Sequence, residues 1–170
     1  GERRPEPRYL VNTHPDVIII GGGAGGLTAA TQAARTGASV TLIAAGPQGG
    51  DCTHTGCVPS KTLIAAAARG DDFATAMSAV HATVNRIAES EDETHLASAG
   101  VTVVRGRARL TGAGNVEVDG TRFNSDRIIV STGARASVPP VPGLIDLKPM
   151  TNETVFSLTE LPESLLVIGG

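Results

Sequence analysis

The stretch "DVIIIGGGAGGLTAATQAARTGASVTLI", residues 16–43, leaves this chain few choices of fold. Asp16 to Ile20 is a short β-branched run that stops abruptly at "GGGAGG", the pattern of a buried strand meeting a turn. The Ala-rich segment that follows, with Gly37 in the C′ position, predicts a helix. Ser39 to Ile43 predicts the next buried strand. Strand, turn, helix and strand in this order make a βαβ unit, with a right-handed crossover and a parallel sheet. The turn carries Gly21-x-Gly23-x-x-Gly26 between the strand and the helix, where a dinucleotide-binding turn has to lie. There Gly21 permits the tight turn, Gly23 lets a pyrophosphate approach the backbone, and Gly26 lets helix and strand pack closely. The helix N-terminus adds N–H groups and a positive dipole end for the phosphates.

Composition sets the outer bounds. In 170 residues, apolar types make up 41% and charged types 18%, enough for a domain with a real core. Aromatics are only 2%, which favours an α/β fold over an aromatic-rich small β domain. A net charge of −3 supplies no basic stripe for nucleic acid. No apolar run is long enough to span a membrane. Residues 1–15 are polar and proline-bearing and read as a flexible lead-in, not a signal peptide; the cytoplasm is the expected location. The absence of an initiator Met suggests a processed or trimmed chain.

Further along, residues 58–70 predict a helix with Pro59 near its first turn and Gly70 closing it. Asp71 and Asp72 are N-cap candidates for the next helix. Its apolar stripe, Phe73, Met77, Val80, Val84 and Ile87, is the packing face of an amphipathic helix. From Val101 the period changes to short strands, "VTVV", "RARL", "VEV" and "TRF", with Asp119-Gly120 a type I′ hairpin signal between the last two. "DRIIVSTG" predicts another buried strand, and "ASVPPVPG" a proline-rich exit. The ending "LPESLLVIGG" repeats the opening theme of apolar strand and glycines, as if a second nucleotide-binding unit began there.

Both cysteines lie in "GGDCTHTGCVPSK", residues 49–61. Zinc needs about four ligands, and Cys52, Cys57 and His54 leave the set one short; His14, His81 and His95 have no ligand spacing to the pair. A structural staple across so small a loop constrains little of the unfolded chain. Redox use is the stronger reading. Cys57 lies just before a helix N-terminus, whose dipole favours a negative charge there, and Lys61 adds a positive charge one turn in. No metal is expected at the site.

In order, "GGGAGG", the C-x4-C loop and "STGARASVPPVPG" resemble the pyridine nucleotide-disulfide oxidoreductases, flavoproteins that include dihydrolipoamide dehydrogenase, glutathione reductase and mercuric reductase. "GCVPSK" and the "PPVPG" exit are most similar to mercuric reductase and its relatives. The resemblance runs from about Val17 to Gly170. It implies an α/β fold: a Rossmann-like FAD-binding domain with a parallel sheet, an antiparallel β-meander insertion and a helical hairpin. The implied organisation is a lead-in at 1–15, the FAD-binding domain with its redox loop at 16–145, and at 146–170 a connector and the first strand of a truncated NAD(P)-binding domain. By the same resemblance Cys52 is the interchange thiol that meets the substrate and Cys57 the charge-transfer thiol against the flavin. The implied FAD-binding set is Gly21, Gly23, Ala24, Gly25 and Gly26 of the turn, Gly50 and Asp51 of the thiol loop, Lys61 near flavin N5, Ala108 near the adenine, and Thr132 and Gly133 through their backbone. Electrons then pass from NAD(P)H to FAD, to the Cys52–Cys57 disulfide, and on to a small-molecule disulfide or a metal-ion substrate. The alternatives are a non-catalytic flavin- or nucleotide-binding domain and a thiol-based soft-metal-binding protein.

The chain departs from the pattern in several places. The acid that should end the second strand and hold the ribose hydroxyls is replaced by Ala44, and no Asp or Glu occurs between Gly26 and Asp51. Asp51 stands where many members have Thr, and its charge opposes a thiolate on Cys52. His54 is either a polar filler of the loop or a proton carrier during exchange. Family members continue into an NAD(P)-binding domain and a dimerisation domain, whose His-Glu pair completes the partner's active site, so the parent is expected to be a homodimer. Taken alone, this chain is expected to bind FAD weakly or not at all and to be inactive. Cys52 and Cys57 are expected within disulfide reach, Cα atoms roughly 7 Å apart or less.

Overall fold

A computed structural model describes residues 12–169. Residues 1–11, most of the expected lead-in, and Gly170 lie outside the described residues. The described residues fall into two compact units, one of residues 12–50 and 90–133, the other of residues 51–89 and 134–169.

The first unit is built on a four-stranded parallel sheet. Strand β1 (Val17–Ile20) leads through the glycine turn into helix α1 (Ala24–Arg35), and β2 (Val40–Ala44) follows. Both strands are buried on both faces, as continuous β-branched and Leu-rich runs require. Helix α5 (Glu93–Ser98) is capped by Asp92, whose side chain accepts from the His95 N–H, and leads into β3 (Val101–Arg105). The strand order is β3-β2-β1-β7, with β7 at Ile128–Val130. One face packs Val17, Ile19, Val40, Leu42 and Val101 against Leu27 and Ala30 of α1 and Leu96 of α5. The other packs Ile18, Ile20 and Ile43 against Val116, Val118 and Phe123 of a separate antiparallel meander, β4 (Arg109–Gly112), β5 (Asn115–Val118) and β6 (Thr121–Asn124). Asp119 and Gly120, both at positive φ, make the expected hairpin turn between β5 and β6. Among residues 12–15 the chain is anchored, since the Asn124 N–H donates to the Thr13 carbonyl at 2.9 Å.

One expectation is borne out and another corrected. "VTVV" is a strand, as expected; it pairs in parallel with β2, from Val40↔Val101 to Ala44↔Arg105, with Val101 and Val103 on the helix-covered face. "DRIIVSTG" contains a strand, but β7 is the outermost of the sheet, and Ile129 and Val130 are exposed rather than buried. Leu165–Ile168, in the stretch read as opening a second nucleotide-binding unit, is exposed and outside the assigned strands.

The second unit carries α2, α3, α4 and α6. Helix α2 (Gly50–His54), which begins on the last residue of the first unit, and α3 (Cys57–Arg69) bracket the thiols. Gly70 closes α3 in the left-handed conformation, as expected. Helix α4 (Phe73–Ser90) buries Met77 and Val80 of the predicted stripe, with Phe73, Val84 and Ile87 half-buried. Of the two cap candidates, Asp72 receives the Thr75 N–H at 2.8 Å, while Asp71 pairs with Arg69. Helix α6 (Asn152–Val155) is a single capped turn. No described helix is long and apolar enough to cross a membrane.

Candidate nucleotide turn and thiol loop

The glycines of the turn sort by what a side chain would meet. At Gly21, held at φ +113, a Cβ would lie 2.2 Å from the Ser131 carbonyl oxygen at the end of β7. At Gly26 it would lie 1.8 Å from the Gly21 carbonyl oxygen. Neither position has room for any other residue, since the backbone oxygens that stand there belong to the sheet and the turn themselves. Gly23 differs: its φ of −79 is ordinary, and the nearest atom to an added Cβ is 3.9 Å away. Protein packing does not require a glycine there. The space in front of it is a cradle that a side chain would fill, as a pyrophosphate seat needs. Ala24 and Gly25 are exposed at the start of α1, whose N-cap Gly23 has no side chain. The first N–H groups of this 12-residue helix therefore stay available to an anion.

The segment after β2 lies along the turn. The Gly49 N–H donates to the Gly22 carbonyl at 2.8 Å, and a Cβ on Gly50 would sit 2.8 Å from the Gly23 Cα. Gly50 is thus brought to the turn, and Thr132 follows the Ser131 contact, its N 3.0 Å from the Cβ position of Gly21. Gly133 comes next, exposed and at positive φ. Ala108 packs partly buried on the Ile18/Phe123 cluster. Ser131 was missed by the sequence reading. Its hydroxyl donates to the carbonyls of Ile20 and Gly21, both at 3.2 Å, and its backbone N–H to Ile20 at 2.8 Å, pinning β7 to the turn. Its place directly before Thr132 and Gly133 was the available signal. Ala44 ends β2 buried and apolar.

In the second unit, both cysteines are present as thiols, Cys52 half-buried on α2 and Cys57 exposed as the first residue of α3. The link between them is tight: the Thr55 N–H donates to the Asp51 carbonyl at 2.9 Å, and a Cβ on Gly56 would lie 2.8 Å from that same oxygen and 3.5 Å from the Cys52 Cα. Gly56 therefore has to be glycine for the start of α3 to pack against the turn that holds Cys52. Cys57 and Lys61 are four apart on α3, hence on one face, and both are exposed. The Asp51 carboxylate accepts a long hydrogen bond from Thr55 Oγ1, at 3.4 Å. Among the described residues no three His, Cys, Asp or Glu side chains gather as a metal site.

Residues 15–170 match the family described as Pyridine nucleotide-disulphide oxidoreductase. The chain belongs to this family. It is 30% identical to a mercuric reductase of Lysinibacillus sphaericus, over 91% of this chain and 31% of that protein. It is 33% identical to a glutathione reductase of Burkholderia cepacia (91% and 38%) and 30% to a dihydrolipoyl dehydrogenase of Acholeplasma laidlawii (91% and 52%). Among solved structures, the Cu(II) complex of a mutant of the HOCl-induced flavoprotein disulfide reductase RclA from Escherichia coli superposes with a TM-score of 0.80 at 28% identity, covering 88% of this chain and 36% of that one. The chain thus spans about a third of the length of most of these relatives.

Proposed function

We propose that this chain is the FAD-binding portion of a flavoprotein disulfide reductase that draws on NAD(P)H and reduces a small-molecule disulfide or a thiophilic metal ion. The observation that carries this reading is the open cradle at Gly23, between two glycines that packing does require. Gly23, Gly25 and the first N–H groups of α1 would hold the pyrophosphate of FAD, with Gly50 and Thr132 beside them. FAD, when bound, supplies two-electron chemistry between a nicotinamide and a thiol pair. The chain's own residues do the rest. The Cys52 thiolate attacks a sulfur of the substrate disulfide and releases one thiolate, leaving a mixed disulfide. The Cys57 thiolate then attacks the Cys52 sulfur, frees the second substrate thiol and closes Cys52–Cys57. Two electrons have left the pair, and their return from NAD(P)H is the chemistry that FAD, held by the residues named above, would supply. Lys61 shares the exposed face of Cys57 on α3. A thiophilic metal ion is the second substrate class, because two thiolates suit a soft ion and several relatives are named mercuric reductase. On family grounds we place the parent in the cytoplasm as a homodimer.

The test uses the full-length protein that carries this chain. Titrated anaerobically with NADH or NADPH, it should gain two titratable thiols per flavin while the visible flavin spectrum changes. A protein that holds no FAD, or one whose thiol count stays constant through the titration, overturns the reading.

A further inference from the structure

Ala44 leaves the end of β2 without a carboxylate, but the fold brings another one to the same end of the sheet. The carboxyl ends of β1, β2 and β3 lie side by side, with Ala44 paired to Arg105 and the Gly106 N–H donating to the Ala44 carbonyl at 3.1 Å. In an open parallel sheet this is the end at which a nucleotide binds. The tip of the β5–β6 hairpin arrives there from the meander side. A Cβ added to Gly106, at φ +145, would lie 2.4 Å from Cγ1 of the buried Val118 and 2.9 Å from Oδ2 of Asp119. Glycine at 106 thus lets the hairpin close on the end of β3, and the packing of Val118 fixes where Asp119 stands. The Asp119 side chain is exposed and makes no hydrogen bond or ion pair among the described residues. Arg105, one residue before Gly106, is engaged elsewhere: Nη1 donates to the Gly46 carbonyl and Nη2 to Gln48 Oε1, both at 3.2 Å, and Nε pairs with Glu93. Nor does the hairpin turn account for a carboxylate. It needs a residue that tolerates φ +48, and Asn or Gly would serve as well.

We propose that Asp119 takes over from the missing acid, as a cofactor-binding residue whose carboxylate accepts hydrogen bonds from the adenosine half of FAD. The inference rests on the reading of the glycine turn as a flavin site. An ionised carboxylate only accepts, and adenosine presents two kinds of donor, the ribose hydroxyls and the 6-amino group. A bond from either is charge-assisted and so among the stronger ones. The acceptor comes from the hairpin on the meander side, in place of a side chain reaching up from β2. The unmet hydrogen-bonding capacity of Asp119 and the apolar end of β2 are then two sides of one exchange.

The experiment uses the full-length protein that carries this chain, freed of flavin and titrated by flavin fluorescence. Three ligands are compared: FAD, an FAD analogue whose adenosine lacks both ribose hydroxyls, and one whose adenine lacks the 6-amino group. Asp119→Gly removes the carboxylate at a backbone angle that glycine adopts freely. It should weaken FAD about tenfold or more. It should leave unchanged the affinity for the analogue that lacks the donor Asp119 meets, which tells hydroxyl from amine. Asp119→Asn, which keeps one acceptor oxygen without the charge, should fall between, with circular dichroism showing both variants folded. FAD held by Asp119→Gly as tightly as by the parent overturns the inference. So does an equal loss for all three flavins, which would mean an effect through the fold and not through a contact. A parent that holds FAD while Asp119→Gly changes nothing sinks this inference alone; a parent that holds no FAD sinks the flavin reading as well.

Discussion

The glycine turn at residues 21–26 and the thiol loop at residues 49–61 are both short, glycine-bearing and joined to helices, yet their residues are there for different reasons. In the turn, backbone atoms of the protein stand where the side chains of residues 21 and 26 would go, so the fold demands those glycines before any ligand arrives. In the loop, Gly50 and Gly56 are explained that way. Cys57 and Lys61 are exposed and stabilise nothing through packing. Packing leaves the residue types at these two positions open, and the proposed thiol chemistry would account for them. Within the turn, Gly23 and Gly25, where an added Cβ would meet nothing nearer than 3.9 Å, fall on the loop's side of this divide.

Substitutions can break that division. The largest effect should come from the thiols: in the full-length protein, Cys52→Ser or Cys57→Ser should reduce disulfide-reductase turnover to background. The exposed Cys57→Ser should move stability by no more than about 0.5 kcal/mol. Turnover that persists in either variant would remove the loop from the chemistry. Next is Gly26→Ala, whose Cβ meets a backbone oxygen; denaturant unfolding should show a loss of about 3 kcal/mol. If its stability matched that of the parent, the turn would be looser than described. Gly23→Ala should do the reverse. Its φ suits alanine, and a modest gain from a stiffer unfolded chain offsets a poorer N-cap, leaving stability within about 0.5 kcal/mol. FAD affinity of the full-length protein should meanwhile fall about tenfold or more, read by flavin retention on dialysis. Unaltered retention would put the cofactor elsewhere.

Two smaller effects sharpen the picture. At Gly120 nothing lies within 4 Å of an added Cβ, so Gly120→Ala isolates the cost of positive φ, about 1 kcal/mol. A neutral result in thermal unfolding would mean that the hairpin turn relaxes. The smallest concerns Asp16, which precedes β1 and accepts from both the hydroxyl and the N–H of Ser39 at 2.7 Å. Those bonds, the hydroxyl's first, hold its carboxyl below the ordinary 3.8, with the charge of Arg127 a lesser help. Because the folded value is the lower one, the contribution is present above the ordinary value and is lost as pH falls through the folded one. Stability profiles of the parent and Asp16→Asn should therefore converge in acid and separate above about pH 4; parallel profiles would show that this carboxylate does not matter.

Much of this was legible in the sequence where one local rule decides an element. The β1-turn-α1-β2 unit, the Asp119-Gly120 hairpin, the Asp72 cap and the Gly70 stop each follow from a few adjacent residues. The fold class followed from the same unit. What the sequence left open or misread depends on partners distant in sequence. Nothing within Val101–Val104 says which sheet the strand joins, and only its fit to the face beside β2 sends it into the parallel one. Ile128–Val130 reads as buried by hydrophobicity alone, yet its exposure is set by its place at the edge of the strand order. At the site, the glycine spacing announced the turn, but Ser131 and the Arg105 bonds to Gly46 and Gln48 are contacts across the fold with no spacing rule to reveal them.

The pairing of Ile20 with Val130 joins residues 110 positions apart. A ribosome adding about 5–20 residues per second needs roughly 5 to 20 seconds to make that interval. β2 emerges in time to pair with one edge of β1, and β3 with β2, but the other edge of β1 must wait for β7 with its N–H and C=O groups unpaired. During that wait the nascent chain presents "VIII" as an open, apolar template. Synthesis that stalls after the meander and before residue 128 would hold it in its most aggregation-prone form.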